Sequence, residues 1–322
     1  MKLFVTGAAG FIGSNYVRHL LAASDDAVVA FDALTYAGNL DNLRGVDSDP
    51  RFAFVKGNIR DREAVRAAME GCDAVVHFAA ESHVDRSIVD PDEFVLTNCL
   101  GTNVVCDVAR QHGVSRVVHV STDEVYGSVE DGSSTEGDLL EPRSPYSASK
   151  AGSDLIALSY QTTYGLPVVV TRASNNYGPY QFPEKVIPLF VTNLFDGLRV
   201  PLYGDGMNVR DWLYVADHCT GVDVALRRGE VGEVYNIGGG NEVPNLHLTR
   251  RLIELCGRDE SAIEYVDDRL GHDRRYSVDC AKLRALGWAP QRDFDEGLAA
   301  TVGWYRDNRW WWEPLRARAA TG

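Results

Sequence analysis

A tyrosine and a lysine stand four residues apart in the segment YSASK, at Tyr146 and Lys150. On a helix, this spacing places both side chains on the same face. A free tyrosine has a pKa of about 10, and a nearby ammonium ion or an oxidised nicotinamide favours its ionised form. A tyrosinate can accept the proton of a substrate hydroxyl while a hydride leaves the same carbon. The pair therefore predicts a site that oxidises an alcohol.

Two adjacent carboxyl groups follow a predicted strand in the segment STDEVYG, which spans residues 121–127. Open α/β sheets bind their ligands at the carboxyl ends of parallel strands. Elimination of water needs an acid and a base close together, and Asp123 and Glu124 supply two carboxyls. Asp123 acts as the acid only if its pKa rises well above about 3.9. Burial and a neighbouring carboxylate both raise the pKa of a carboxyl group.

The segment TGAAGFIG places glycines at Gly7, Gly10 and Gly13, between a predicted strand and a predicted helix. This GxxGxxG pattern indicates a tight turn whose backbone approaches a pyrophosphate at the helix N-terminus. Asp32 follows Gly13 by 19 residues, at the end of the second predicted strand, where a carboxylate accepts hydrogen bonds from the adenosine ribose. A carboxylate would repel a ribose phosphate, so the pattern favours NAD over NADP.

Alternating strand and helix signals position these groups, and they predict right-handed βαβ units in a doubly wound parallel sheet. The predicted strands are Lys2–Thr6, Ala27–Phe31, Ala74–Phe78, Arg116–Ser121 and Pro167–Arg172. The predicted helices are Phe11–Ala23, Glu63–Glu70, Pro91–Gly113 and Pro145–Gly165.

The alternation of strand and helix signals ends after Arg172. The composition of Asn175–Pro183 predicts a loop, and shorter elements follow. We therefore expect an α/β protein with two lobes. A Rossmann domain would comprise residues 1–172 and about 211–237, and a smaller, mixed α/β substrate lobe would comprise about 173–210 and 238–322. Near the end of that lobe, the segment RWWWE at Arg309–Glu313 carries three consecutive tryptophans, for which we predict packing or a subunit contact.

Composition excludes several classes of function. The net charge of −14 and the lack of a long Lys/Arg run argue against nucleic acid as a partner. Six cysteines form no CxxC pair and no spacing typical of zinc, so we expect free thiols and no metal site. No apolar stretch reaches the length of a membrane span or a signal-peptide core, so we expect a cytoplasmic protein with no membrane partner.

Taken together, the motifs resemble one protein family. The similarity is to the extended short-chain dehydrogenase/reductase superfamily, and most of all to its dTDP-glucose 4,6-dehydratases. It is carried by TGAAGFIG, FAAESHVDRS, STDEVYG, YSASK and NNYGPYQFPEKVIPL, and it extends to at least Asp279. The resemblance implies a nucleotide-sugar substrate and an internal NAD redox cycle. Carbon 4 of glucose is oxidised, water leaves carbons 5 and 6, and carbon 6 is reduced.

The resemblance also implies a role for each reactive residue. Tyr146 is the base at carbon 4, while Lys150 orients it and holds the cofactor ribose. Thr122 donates a hydrogen bond near the carbon 4 oxygen. Glu124 removes the carbon 5 proton, and Asp123 protonates the departing hydroxyl.

Further positions match the ligand-binding residues of the family. The implied NAD contacts are Gly7, Gly10, Phe11, Ile12, Gly13, Asp32, Ala33, Leu34, Thr35, Asn58, Ile59, Phe78, Ala79, Ala80, Ser82, Thr97, Tyr146, Lys150 and Asn176. The implied substrate contacts are Ser82, Thr122, Asn175, Lys185, Val186, Pro201, Tyr203, Arg210, Asn245 and His272. Asn58 replaces the aspartate usual in the family, but its amide oxygen can still accept a hydrogen bond from adenine.

Three alternatives remain open. A nucleotide-sugar 4-epimerase would share the NAD site and the Tyr146–Lys150 pair, but would not need an acid and a base for elimination. Decarboxylases and GDP-mannose-type dehydratases usually carry serine or threonine where Asp123 stands. A catalytically silent NAD-binding regulatory protein would not need Thr122, Tyr146 and Lys150 intact. The base of the nucleotide and the downstream pathway also stay open.

The two long helices predict the oligomeric state. In this superfamily, the equivalents of Pro91–Gly113 and Pro145–Gly165 form a four-helix bundle between two subunits, so we expect a homodimer. Apolar residues on these helices include Leu100, Val104, Val108, Leu155 and Leu158.

Overall fold

The computed structural model describes the backbone of residues 1–319 and the side chains of residues 1–316. The predicted substrate lobe runs to residue 322, and its positions 320–322 lie outside the described residues. The strands are β1 (Lys2–Thr6), β2 (Ala27–Asp32), β3 (Phe52–Lys56), β4 (Ala74–His77), β5 (Arg116–Thr122), β6 (Val168–Ala173), β7 (Asn175–Tyr177), β8 (Val200–Tyr203), β9 (Val209–Tyr214), β10 (Val234–Ile237), β11 (Glu242–Pro244) and β12 (Ile263–Val266).

The α-helices alternate with these strands. They are α1 (Phe11–Ala23), α2 (Arg62–Met69), α3 (Val84–Val89), α4 (Pro91–Phe94), α5 (Thr102–His112), α6 (Pro145–Tyr164), α7 (Val186–Phe195), α8 (Val215–Arg228), α9 (Asn245–Leu255), α10 (Ala281–Ala285), α11 (Phe294–Asp307) and α12 (Arg309–Ala319). A π-helical segment, Val95–Gly101, joins α4 to α5.

A seven-stranded parallel sheet organises the first lobe, in the order β10-β6-β5-β4-β1-β2-β3. The strand order reverses between β1 and β4, which is the switch point where doubly wound sheets open a crevice at their carboxyl ends. Helices cover both faces of the sheet, with α1 and α8 on one side and α2, α5 and α6 on the other. The predicted Rossmann fold is confirmed.

The second lobe has its own apolar core. Two small sheets, β11-β9-β7 and β12-β8, pack with α7, α9, α11 and α12 around buried side chains such as Phe190, Trp212, Leu252 and Tyr305. Segment 280–288 is different, because Cys280, Leu283 and Trp288 pack on the α1–α8 face of the large sheet. Within residues 1–319, no helix combines the length and apolar character needed to cross a bilayer.

Several predicted elements differ from the structure. Strand β3 was not predicted, although four of its five residues are apolar; it forms an edge of the sheet, where Ala53 and Lys56 are exposed. The predicted loop at 175–183 contains β7, which pairs with β9 of the second lobe. The predicted helix at 91–113 is helical from residue 91 to residue 112, but the π-helical segment separates α4 from α5.

Candidate active site

A cleft opens at the carboxyl ends of β1, β2, β4, β5 and β6 and is closed on its far side by residues 174–185. All five predicted catalytic residues line it, namely Thr122, Asp123, Glu124, Tyr146 and Lys150. The predicted cofactor residues that line it are Gly7, Gly10, Phe11, Ile12, Gly13, Asp32, Ala33, Thr35, Asn58, Ile59, Phe78, Ala79, Ala80, Ser82, Thr97, Tyr146, Lys150 and Asn176. Leu34 does not line it.

The glycine turn leaves no room for side chains. Gly7 adopts a φ of +67°, and a Cβ there would lie 2.7 Å from the Ala79 nitrogen. A Cβ on Gly13 would lie 2.2 Å from the Gly7 carbonyl oxygen. Helix α1 begins immediately afterwards, and no side chain caps its N-terminus at Gly10. The free N–H groups of its first turn therefore fit a phosphate group.

Asp32 ends β2 at the edge of the same turn. Its two carboxylate oxygens accept hydrogen bonds from the backbone N–H groups of Ala9 (2.9 Å) and Leu34 (2.7 Å). Burial raises its pKa, and these two donors oppose that effect. Each oxygen keeps a second lone pair for a ribose hydroxyl. Leu34 orients Asp32 through its N–H and adopts a φ of +55°, and its predicted contact with the cofactor stays a prediction.

Helix α6 carries the Tyr146–Lys150 pair and begins with two local signals. Ser144 and Ser147 form a capping box, and Pro145 occupies the first turn. Lys150 is buried and donates from Nζ to the Val120 carbonyl oxygen at 2.8 Å. Burial lowers its pKa to about 8, against the opposing charge of Asp154. The strand end and the helix start therefore fix the lysine beneath the cleft.

The protein's own groups act on the pKa of Tyr146 in both directions. Burial and the neighbouring carboxylate of Glu124 raise it above its ordinary value, while a hydrogen bond with Thr122 opposes them. The predicted lowering of this pKa depends on an oxidised nicotinamide as well as on Lys150, so it stays a prediction.

Asp123 is buried at the end of β5, with 3% of its surface exposed. Its Oδ1 accepts a hydrogen bond from Thr122 Oγ1 at 3.2 Å, and Oδ2 has no partner among the described residues. Burial raises its pKa well above the ordinary value, and the charges of Glu124 and Asp211 add to the effect. These surroundings favour the protonated form of the carboxyl, for the reasons that the sequence predicted.

Glu124 stands next to a group of cations. Burial raises its pKa, while the charges of Arg269, Arg210 and Lys185 oppose that increase. The buried guanidinium of Arg210 is fixed by hydrogen bonds to the carbonyl oxygens of Val209 (2.7 Å) and Asp273 (2.9 Å). Lys185 Nζ donates to the Ser82 carbonyl oxygen at 2.7 Å. Three cations beside one end of the cleft fit a diphosphate.

The predicted substrate residues fall into two groups. Ser82, Thr122, Asn175 and Lys185 line the cleft itself. Six others do not line it and lie on α7, β8, β9, α9 and the loop before residue 273, namely Val186, Pro201, Tyr203, Arg210, Asn245 and His272. In that group, the rings of Tyr203 and His272 meet edge to face, with centroids 6.1 Å apart.

Sequence reasoning missed several residues of the site. Glu184 and His218 line the cleft, and Arg269 belongs to the cation group. Glu184 directly precedes Lys185 in a motif already noted, so its position was available from the sequence. His218 and Arg269 had no such signal, because they reach the site through tertiary packing.

Comparison with known proteins agrees with this geometry. The family model described as GDP-mannose 4,6 dehydratase matches residues 4–301. A dTDP-glucose 4,6-dehydratase of Streptomyces antibioticus is 60% identical, over 99% of this chain and 97% of that protein. The solved dTDP-glucose 4,6-dehydratase of Streptomyces venezuelae, with NAD and TYD bound, has a TM-score of 0.96 and 58% identity, over 98% of this chain and 100% of that one.

A more distant structural relative shares the fold with a different reaction. The UDP-glucose 4-epimerase of Thermus thermophilus, in complex with NAD, has a TM-score of 0.89 and 33% identity, over 96% of this chain and all of that one. The dehydratases therefore match more closely, over nearly the same length. The chain belongs to the GDP-mannose 4,6 dehydratase family and, within it, to the dTDP-glucose 4,6-dehydratases.

Proposed function

We propose that this protein is an NAD-dependent lyase that converts dTDP-glucose to dTDP-4-keto-6-deoxyglucose and water. One observation carries the proposal. A buried carboxyl with a raised pKa, Asp123, adjoins a second carboxyl, Glu124, in the cleft that also holds Tyr146 and Lys150. An alcohol-oxidising pair alone would serve an epimerase, whereas the added acid and base serve an elimination.

The first step removes a hydroxyl proton. Tyr146 accepts the proton of the carbon 4 hydroxyl, and Thr122 donates a hydrogen bond to the same oxygen. Lys150 holds its position through the Val120 carbonyl, from which it can reach both the tyrosine and a cofactor ribose. Bound NAD⁺ supplies the acceptor that takes a hydride from carbon 4 and later returns it to carbon 6.

The second step eliminates water. The new ketone acidifies the proton on carbon 5, which Glu124 removes as its carboxylate. The carbon 6 hydroxyl leaves with the proton of Asp123, so that one water molecule forms and a carbon 5–carbon 6 double bond remains. When carbon 6 is reduced, Glu124 returns a proton to carbon 5. The proton that Tyr146 accepted balances the one that Asp123 gave up, and exchange through solvent restores both groups. The sum is loss of one water, with no net oxidation.

Substrate recognition divides between the two lobes. We propose that residues 1–172 and about 211–237 bind the dinucleotide, and that about 173–210 and 238–322 bind the nucleotide sugar. Arg210 and Lys185 would contact the diphosphate, as the sequence suggested, with Arg269 as an added cation. Tyr203, 37% exposed, offers an aromatic face to a pyrimidine base.

Isotope transfer tests the reaction. With dTDP-glucose carrying deuterium at carbon 4, the label should appear at carbon 6 of the product, and solvent hydrogen should enter at carbon 5. Label that stays at carbon 4 would identify an epimerase and contradict the proposal. Parallel assays with UDP-, CDP- and GDP-glucose would establish which base the site prefers.

We also propose a homodimer formed by a four-helix bundle. Val95, Leu96, Leu100 and Leu155 are between 42% and 60% exposed, on the helical path of residues 91–112 and on the adjoining α6. Val104 and Val108 do not belong to this face, because they are buried in the chain's own core. Sedimentation of a Leu100→Asp, Leu155→Asp variant should show monomers, and an unchanged dimer would contradict the proposed interface.

The cysteines support a cytoplasmic setting. All six are free thiols, and burial raises the pKa of Cys106 and Cys280 to about 12. Thiols of this kind persist in a reducing compartment.

A further inference from the structure

The three consecutive tryptophans of α12 lie in different surroundings. Trp310 is 47% exposed, whereas Trp311 and Trp312 are buried. Trp312 donates from Nε1 to the Tyr305 carbonyl oxygen at 2.7 Å, inside its own lobe. Trp311 donates from Nε1 to Asn42 Oδ1 at 2.8 Å. Trp311 thus reaches the segment that follows β2, on the dinucleotide side of the molecule.

Asn42 connects this tryptophan to the glycine turn. It is 1% exposed, and its Nδ2 donates to the Ala9 carbonyl oxygen at 2.8 Å. Ala9 lies between Gly7 and Gly10, and its N–H donates to Asp32 Oδ2 at 2.9 Å. Both backbone polar groups of Ala9 are therefore held: the N–H by the ribose-binding carboxylate, and the carbonyl oxygen by the Asn42 amide together with the Asn39 backbone N–H at 3.0 Å.

The indole N–H of Trp311 and the Ala9 carbonyl together set which way the Asn42 amide points. A tryptophan Nε1 can only donate, so the amide oxygen must face Trp311 and the amide nitrogen must face Ala9. Without that donor, a rotated amide would set its oxygen against the Ala9 carbonyl. The hydrogen bond from Trp311 therefore stabilises the amide orientation in which Asn42 supports the glycine turn, in addition to the Asn39 N–H that bonds the same Ala9 carbonyl.

We propose that Trp311 is a positioning residue for NAD binding, which acts through Asn42 on the turn that receives the pyrophosphate. The backbone of Asn42 is held as well, because Arg18 donates from Nη2 to its carbonyl oxygen at 2.8 Å. Arg18 also lies 4.8 Å from the Tyr180 ring centre, and Tyr180 packs edge to face on Trp311. The second lobe thus supports the cofactor turn at a residue that need not contact NAD.

The proposal rests on the NAD site of the proposed function, and it predicts a change in cofactor retention. Trp311→Phe keeps most of the buried ring but removes the N–H. Loss of one neutral hydrogen bond corresponds to about 2- to 10-fold in an equilibrium. The purified variant, diluted with an enzyme that destroys free NAD, should lose its bound NAD about 2- to 10-fold faster than the unmodified protein.

Two neighbouring tryptophans supply matched controls. Trp312→Phe removes an equally buried N–H bond that does not reach the glycine turn, so it should lower the melting temperature without changing NAD release. Trp310→Phe should change neither. If Trp311→Phe releases NAD at the unmodified rate, or if Trp312→Phe accelerates release equally, the proposal is wrong. An unmodified protein without bound dinucleotide would overturn both this proposal and the cofactor assignment.

A second variant tests the relay itself and does not depend on the stability of Trp311→Phe. Asn42→Asp keeps the acceptor for Trp311 but replaces the donor to Ala9 with a carboxylate oxygen. NAD release should again become faster. In the double variant, the Trp311 change should add little, because its effect passes through the Asn42 amide. Fully additive effects of the two changes would overturn the relay.

Discussion

Asp123→Asn should separate the chemistry of this site from its stability. The asparagine has nearly the shape of a protonated aspartic acid, and it can still accept the hydrogen bond from Thr122. It cannot supply an acidic proton to the departing hydroxyl. Removal of a general acid typically slows a step by about 10²- to 10⁴-fold, or about 2.7–5.5 kcal/mol of barrier. We expect turnover of dTDP-glucose to fall by that factor.

The same substitution should make the folded protein less sensitive to alkali. Burial, with the charges of Glu124 and Asp211, raises the pKa of Asp123 in the folded state. A carboxyl with a raised folded pKa stabilises fully below its unfolded pKa of about 3.9, and that stability is lost as pH rises towards the folded pKa. Each tenfold increase in proton affinity corresponds to about 1.4 kcal/mol. The asparagine variant has no such loss.

Two measurements check both parts of this prediction. Product formation by chromatography gives the turnover, and thermal unfolding between about pH 5 and 9 gives the stability. The melting temperature of Asp123→Asn should rise relative to that of the unmodified protein as pH increases. Asp131→Asn, at an exposed loop position, should change neither quantity. A turnover within about threefold of the unmodified value, or a stability difference independent of pH, would refute the assigned role.

Two substitutions and one pH–rate profile test other parts of the site. Gly13→Ala should yield protein without bound NAD or without a stable fold, because the new Cβ would lie 2.2 Å from the Gly7 carbonyl oxygen; a full NAD content after purification would contradict the assigned turn. Arg210→Ala should weaken binding of dTDP-glucose by about 10- to 100-fold, the value of a charge-assisted contact, and the NAD content should not change. If calorimetry shows the same affinity for dTDP-glucose as in the unmodified protein, Arg210 does not belong to the substrate site. Burial lowers the pKa of Lys150 to about 8, so its positive charge is present below that pH. Turnover should therefore fall as pH rises through about 8. A pH–rate profile that is flat to pH 9 would show that this charge is not needed.

Much of the fold could be predicted from the sequence, because the relevant signals are local. The glycine turn demands three residues without side chains at fixed spacing, and the capping serine and proline mark the start of α6. Buried parallel strands are short apolar runs, and strands β1, β2, β4, β5 and β6 were predicted within one or two residues. The reactive groups follow from the same elements, since each stands at or just after a strand end or in the first two turns of a helix.

The remainder depends on contacts between distant segments. Trp311 was expected to pack, but nothing in RWWWE indicates that its partner is Asn42, 269 residues away. Arg269 likewise comes to Glu124 from a loop with no regular pattern. The spacing of Tyr146 and Lys150 indicates a nearby positive charge but gives no measure of burial. The increase in the pKa of Tyr146 that burial causes therefore could not be predicted.

Two buried aspartates of this protein show why burial alone does not assign a role. Asp154 is fully buried, yet its pKa is lowered, because the hydrogen bond and charge of His119 and the charge of Arg172 outweigh burial. Arg172 Nε donates to its Oδ2 at 2.9 Å. At Asp123, burial and the charges of Glu124 and Asp211 outweigh the Thr122 hydrogen bond and the charge of Arg210, and Oδ2 has no partner within the described chain. Asp154 is therefore held as an ion paired with Arg172, whereas Asp123 lines the cleft as a carboxyl whose protonated form is favoured. An elimination needs such a proton donor, whereas a site that only oxidises and reduces does not.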